Sequence, residues 1–301
     1  MCEGEGDGSA GTIGSMTDAT TSPVPSATDA RLAFVGTGSM NESILAGVLA
    51  SGKDPGTVVA TVRRPERAEE LRSRFGITVH ATGDDDAANT SAVEGADVVV
   101  LGVKPVGIEA MAREIAPALA PATVVVSVAA AVTNAMIEAA LPAGQPVVRV
   151  MPNTPSRVQR GVLAVSPGTS VTDGQTALVE GVLAGSGLVL TVPEEQQDAV
   201  SAISGSGPAY VFYLAEAMTE AGVALGLDRD LAARLAEETV SGAGELMRTS
   251  EDDAATLRRG VTSPKGTTER AVAVLQDADL AGTFERASRA AIARAEELSK
   301  G

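Results

Sequence analysis

The residues with the plainest chemistry lie near the start of the chain. Gly36-Thr37-Gly38-Ser39-Met40-Asn41 follows the short apolar run Leu32–Val35. It opens a segment in which Met40, Ile44, Leu45, Val48 and Leu49 recur at helical spacing. Strand, glycine turn and helix in that order are the setting of a dinucleotide fingerprint. The first glycine allows the tight turn, and the second lets a pyrophosphate approach the backbone. The helix N terminus then offers free N–H groups and a partial positive charge. Gly36, Thr37, Gly38, Ser39 and Met40 are therefore candidate phosphate-binding residues. Asn41 takes the third position, where a small residue is usual. The second strand, Val58–Val62, runs into Arg63-Arg64, with no acid before Glu66. An NAD site places a carboxylate there, whereas paired guanidinium N–H groups grip a 2′-phosphate. The sequence thus predicts NADP(H) in preference to NAD(H), with NAD(H) left open as a second cofactor.

The elements that must position these residues read as a βα alternation. Further strands are expected at Val98–Val103, Val124–Val128, Val147–Val150, Val162–Val165 and Leu188–Val192. Pro65–Phe75, the segment marked by Ile108, Met111, Ile115 and Leu119, and a segment from Thr172 read as helices. Thr172 and Gln175 have the spacing of a capping box. After Pro193 only helical periods remain, broken at Gly205–Pro208, Gly226–Leu227 and Ser263–Gly266. Residues 31–193 are expected to form an α/β Rossmann-type domain and residues 194–301 an all-α domain. The stretch 209–225 is apolar on more than one face, so it should be buried in a bundle or against another subunit. Met151, Met218 and Met247 are expected in the core, and Tyr210 and Tyr213 in packing. Residues 1–30 carry five acids and no Lys or Arg and read as a disordered acidic tail.

Composition excludes several classes. Lys plus Arg number 23 against 39 Asp plus Glu, a net charge of −16, and aromatics are 2%. That is neither the basic footprint nor the stacking surface of a nucleic-acid binder. One cysteine and one histidine supply neither a disulfide framework nor a structural zinc site. His80 reads as a surface residue without a catalytic role. Neither a membrane span nor a targeting signal is visible, which leaves the cytoplasm as the default.

Several stretches together resemble the pyrroline-5-carboxylate reductase family. They are Val103-Lys104-Pro105, Val148-Arg149-Val150-Met151-Pro152-Asn153-Thr154-Pro155, Ala202-Ile203-Ser204-Gly205-Ser206-Gly207-Pro208-Ala209-Tyr210 with Glu220–Leu227, and Leu257-Arg258-Arg259-Gly260-Val261-Thr262-Ser263-Pro264-Lys265-Gly266-Thr267-Thr268. They lie in order and span residues 32–300. The resemblance implies hydride transfer from NADPH to 1-pyrroline-5-carboxylate, giving L-proline. It places NADP(H) on Gly36–Met40, Arg63, Arg64, Asn89, Val103, Lys104, Pro105, Ala129 and Ala130. It places the substrate on Ser263, Gly266, Thr267 and Thr268, with Glu251 nearby, and gives Thr268 the catalytic hydrogen bond to the ring nitrogen. It also implies a homodimer with interlocked all-α domains, in which the substrate loop of one subunit serves its partner's cofactor. Rings of such dimers are known in the family.

Physical chemistry agrees with the loop assignment. A Ser-Pro-x-Gly-Thr-Thr turn opening a helix offers bare N–H groups and short hydroxyls, an anion cradle that needs no arginine. Three residues depart from the family pattern: Asn41, Ala131 and Lys265, the last two standing where glycine is common. Two other readings compete. A β-hydroxyacid dehydrogenase or an imine reductase on another substrate is disfavoured in its first form, because Tyr210–Leu225 lacks the catalytic Lys of those dehydrogenases. A non-catalytic NADP-binding regulator would have no reason to keep Ser263–Thr268.

Overall fold

A computed structural model of the chain describes residues 24–300. Its strands are β1 (Leu32–Val35), β2 (Val58–Val62), β3 (Thr78–Ala81), β4 (Val98–Leu101), β5 (Val124–Ser127), β6 (Val147–Met151), β7 (Gly161–Pro167) and β8 (Gly187–Thr191). Between them lie α1 (Ser39–Ala50), α2 (Pro65–Phe75), α3 (Ala88–Val93), α4 (Ile108–Ile115), α5 (Asn134–Glu138) and α6 (Asp173–Leu183). One sheet results, in the order β3-β2-β1-β4-β5-β6-β7-β8. The first six strands are parallel, β7 is antiparallel to β6, and β8 is parallel to β7. Leu32 pairs with Val58 on one side and Val98 on the other. Chain order therefore reverses at β1, which opens a crevice beyond the carboxyl ends of β1 and β4.

Why these residues make this sheet follows from burial on both faces. Every residue of β1, β4 and β5 is buried. Only near-continuous apolar strands tolerate that. Leu32, Phe34, Ile44, Leu45 and Leu71 pack one face; Val35, Leu101, Ile108, Ile115 and Ile137 pack the other. The capping box at α6 is present, with Thr172 Oγ1 accepting from the Gln175 amide and Gln175 Oε1 accepting from the Thr172 amide.

Three features differ from the sequence reading. The short edge strand β3, the six-residue α3 and the five-residue α5 are absent from that reading; none is long enough to show a period. His80, expected at the surface, accordingly lies in β3 opposite Thr61 and is half-buried. The packed chain also begins before Arg31. Ala30 is buried, and Lys53 donates from Nζ to the carbonyls of Ala27 (3.1 Å), Thr28 (2.9 Å) and Ala30. Burial pushes the Lys53 ammonium down from its ordinary pKa. The rest of the expected tail, residues 1–23, lies outside the described residues.

Beyond Thr191 the described chain is helical. Helix α7 (Gln197–Val200) passes through a π-helical turn at Ser201–Gly205 into α8 (Gly207–Ala224). Then come α9 (Arg229–Thr249), α10 (Ala254–Gly260), α11 (Thr267–Asp277) and α12 (Leu280–Lys300). The three predicted breaks fall at the α7–α8 turn, the α8–α9 turn and the α10–α11 turn. Polar contacts tie the sheet to these helices. Buried Arg149 of β6 pairs with Asp198 (3.2 Å) and Glu194 (3.5 Å), and the Asn153 amide donates to the Ser204 carbonyl (3.0 Å). Tyr210 packs as expected, its ring edge-on to Phe284 at 5.8 Å and its hydroxyl donating to the Ala202 carbonyl. Met218, Met247 and Tyr213, by contrast, are exposed. No residue of α8 is buried within the chain. Their helices carry apolar faces that this single chain does not cover.

Candidate functional site

The fingerprint turn sits where β1 ends. Gly36 has φ +72°, and a Cβ there would lie 2.5 Å from Val103 Cγ1, so only glycine fits. The same contact shows that the structure brings the Val103-Lys104-Pro105 turn, which follows β4, against the glycine turn. Helix α1 has no side-chain cap at Gly38, and its first intrahelical bond is Glu42 N–H to the Gly38 carbonyl. Its first-turn amides are open to an anion. Asn41, the unusual third residue, is buried; its Nδ2 donates to the carbonyls of Val100 (3.2 Å) and Val35 (3.4 Å), while Oδ1 has no partner. It fits because position 102 is glycine: a Cβ there would meet Asn41 Cγ at 2.2 Å.

A cleft of about 480 Å³ opens beside this turn, lined by Gly36, Thr37, Gly38, Ser39, Val62, Arg63, Arg64, Arg67 and Glu70. The fingerprint and both predicted arginines thus share one wall system. The Arg63 and Arg64 side chains are exposed and form no ion pair among the described residues. An open helix N terminus with two uncommitted guanidiniums fits a dinucleotide that carries an extra phosphate. Arg67 and Glu70 were not singled out from sequence. The available signal was spacing: Arg67 follows Arg64 by one helical turn and so shares its face. Arg67 pairs with Glu70 (2.5 Å) and with Glu42. The Glu70 hydrogen bond raises the Arg67 pKa, and the same bond lowers that of Glu70.

The remaining predicted cofactor residues are placed less uniformly. Ala129 and Ala130 follow β5, whose carboxyl end lies next to that of β4. Ala129 is buried, Ala130 is exposed, and Ala131 after them holds φ +61°. Lys104 and Pro105 are exposed at the start of a short 3-10 turn. Asn89 does not line the cleft. It is buried at the start of α3, where its amide donates to Glu114 of α4 (2.9 Å).

The predicted substrate loop lies in the other half of the chain. It joins α10 to α11, and Ser263, Lys265, Thr267 and Thr268 are exposed. Its hydrogen bonds stay local: the Gly266 amide donates to the Ser263 carbonyl (3.0 Å) and the Lys265 amide to Glu269 Oε2 (2.9 Å). A Cβ at Gly266 would lie 2.7 Å from Ser263 Oγ, which explains that glycine. Helix α11 starts without a side-chain cap, so the Thr267 and Thr268 amides and hydroxyls form a second open cradle. Glu251 is exposed after α9. Its neighbour Asp253 caps α10 by accepting from the Thr256 amide (2.7 Å), and the hydrogen bonds to Thr256 hold its carboxyl below the usual range. No bond within the chain joins this loop to the cleft among the described residues.

Comparisons with known proteins bear on the fold and the family. A family model described as NADP oxidoreductase, coenzyme F420-dependent, matches residues 31–131. One described as pyrroline-5-carboxylate reductase dimerisation matches residues 194–298. The pyrroline-5-carboxylate reductase of Corynebacterium melassecola is 41% identical, over 89% of this chain and 98% of that protein. That of Pseudomonas aeruginosa is 40% identical, over 90% and 97%. Among solved structures, a pyrroline-5-carboxylate reductase from Coxiella burnetii superposes with a TM-score of 0.84 at 37% identity, covering 90% of this chain and 99% of that one. A Plasmodium falciparum pyrroline carboxylate reductase with NADP bound shares the fold, with a TM-score of 0.77 at 23% identity over 90% and 99% of the two chains. Fold and cleft define a Rossmann-type oxidoreductase with an all-α second domain for dimerisation. The chain belongs to the pyrroline-5-carboxylate reductase family.

Proposed function

We infer that the chain reduces 1-pyrroline-5-carboxylate to L-proline with NADPH, the last step of proline synthesis. The observation that carries this reading is a pair of uncapped helix N termini in one family member, with two different surroundings. At α1 the open amides adjoin Arg63 and Arg64, the setting for a phosphorylated dinucleotide. At α11 they adjoin the hydroxyls of Thr267 and Thr268, the setting for a small carboxylate. Bound in the first cradle, NADPH supplies a hydride to the carbon of the protonated C=N bond, which becomes the secondary amine of proline.

The chain's own residues then bind, orient and shield. Ser263, Gly266, Thr267 and Thr268 hold the substrate carboxylate through amides and hydroxyls. The Thr268 hydroxyl hydrogen-bonds the ring nitrogen and fixes the face presented for attack, and Glu251 borders this site. Gly36–Met40, with the turns at Val103–Pro105 and Ala129–Ala130, hold the dinucleotide. Such a reaction needs positioning and exclusion of water more than acid–base groups. The working unit is a homodimer with interlocked helical domains, each substrate loop meeting the partner's cofactor; dimers arranged in a ring extend the same scheme. The exposed apolar side chains of α8 and the local bonding of the Ser263–Thr268 loop support this arrangement. No helix among the described residues is long and apolar enough to cross a membrane. We place the enzyme in the cytoplasm.

The test is oxidation of NADPH by the purified protein with 1-pyrroline-5-carboxylate, run beside NADH and beside a six-membered cyclic imino acid. Fast turnover with the five-membered ring and a preference for NADPH is the expected result. Turnover only with the larger ring, or none despite NADPH binding, would overturn the substrate assignment.

A further inference from the structure

The cofactor cleft holds a third arginine whose wiring differs from that of Arg63 and Arg64. One terminal nitrogen of Arg67 meets Glu42 of α1, and the other meets Glu70 Oε1 at 2.5 Å. The two acids are not equivalent. Glu42 is 16% exposed, is shared with Arg74 (2.5 Å) and does not line the cleft. Glu70 is 58% exposed and lines the cleft with Arg67. One end of the guanidinium is therefore anchored in the wall, and the other faces the cleft under a solvent-facing carboxylate.

We propose that Arg67 is a specificity-determining residue for the cofactor, exchanging Glu70 for the adenosine 2′-phosphate while Glu42 keeps it in position. This rests on the NADP reading above. With a 2′-phosphate, the cleft-facing N–H groups of Arg67 trade one anion for another and Glu70 swings to solvent. With a bare 2′-hydroxyl nothing displaces Glu70, and the Arg67–Glu70 pair stays closed. The contact adds to those of Arg63 and Arg64, and Glu70 sets how much of that added affinity is realised.

The test is calorimetric binding of adenosine 2′,5′-bisphosphate and of 5′-AMP to the full chain, with no turnover involved. The readout is the ratio of the two affinities. Arg67→Gln should lower that ratio about tenfold, the scale of one charge-assisted contact, and leave 5′-AMP binding nearly unchanged. Glu70→Gln should raise it by roughly threefold, and Glu42→Gln should lower it, although both remove the same charge. Opposite signs from equal charge changes are what a wired arginine requires. If both acid variants raise the ratio alike, the cleft responds only to net charge and the proposal fails. If wild type prefers the bisphosphate but Arg67→Gln leaves the ratio unmoved, the proposal alone fails. If wild type binds the two probes equally, the NADP reading and this proposal fall together. Glu70 is exposed, so its variant tests the idea even where Glu42→Gln weakens the fold.

Discussion

The two halves of the chain place the same residue types in opposite environments. In the sheet half, Phe34, Val98, Val100 and Leu101 have no measurable exposure. In the helical half, Phe212 is 67% exposed and Leu225 85% exposed, and among the described residues beyond Pro193 the buried apolar ones are Ala202, Ala232 and Ala236. A folded monomer seldom leaves so many large apolar side chains together in water. The first half closes its own core, while the second is built for a core shared with another body. The functional groups divide in the same way. The open N terminus of α1 stands on a self-sufficient scaffold, and that of α11 on the half that is not.

Placing one charge in each half breaks or sharpens the comparison most directly. Val100→Asp buries a carboxylate in the middle of the sheet, a cost of several kcal/mol that should unfold the chain. Circular dichroism would show it. Phe212→Asp with Leu214→Asp should instead keep the secondary structure and the binding of adenosine 2′,5′-bisphosphate. It should abolish self-association, followed by sedimentation, and, if the site is assembled from two subunits as proposed above, lower turnover about a hundredfold or more through lost positioning. A double variant that remains dimeric and active would show that α8 is not the shared surface.

The two cradles should also separate kinetically. Thr268→Ala should reduce kcat by roughly ten- to a hundredfold, the scale of losing one hydrogen bond to a charged group, and leave NADPH affinity within about twofold. Equal losses in both would remove Thr268 from the reacting end. Arg63→Ala with Arg64→Ala should do the converse, eroding the preference for NADPH over NADH by about tenfold at nearly constant kcat with saturating cofactor. An unchanged preference would leave the cleft without its assigned role.

The sheet half was nearly all legible, because β1, β2 and β4–β8 are apolar runs separated by helical periods and glycine turns. What was missed is short: β3, α3 and α5, and with β3 the half-buried setting of His80. In the helical half the three breaks and the helix content were legible, but the location of the core was not. Periodicity says that Met218, Met247 and Tyr213 belong in an interior; it does not say that the interior is contained in one chain. Arg63 and Arg64 were found because they end a strand. Arg67 was not, because an arginine inside a charged helix resembles any solvated face until the cleft is seen. Asn89 came from resemblance alone, and the structure sets it against Glu114 and away from the cleft lining.

The smallest expected effect concerns two of the residues that depart from the family pattern, one in each half. Ala131 and Lys265 stand where glycine is common, and both hold left-handed backbone, with φ +61° and +62°. A side chain in that region costs about 1–2 kcal/mol, and glycine returns part of the gain by widening the unfolded ensemble. Ala131→Gly should therefore stabilise the protein by about 0.5–1 kcal/mol, read as a higher urea midpoint at fixed protein concentration. Lys265→Gly should do so by less, because its left-handed turn is already supported by the amide bond to Glu269. The two substitutions also ask different questions of the site. Ala131 follows β5, in the half of the chain away from the proposed substrate loop, so its replacement should leave the KM for the imino acid untouched. Lys265 lies within the proposed substrate loop but is exposed, so its KM should change by less than about twofold, as befits a screened surface charge. A several-fold rise in KM that disappears at high salt would instead make the Lys265 ammonium part of the carboxylate cradle. The left-handed lysine would then be retained for its charge and not merely tolerated by the turn.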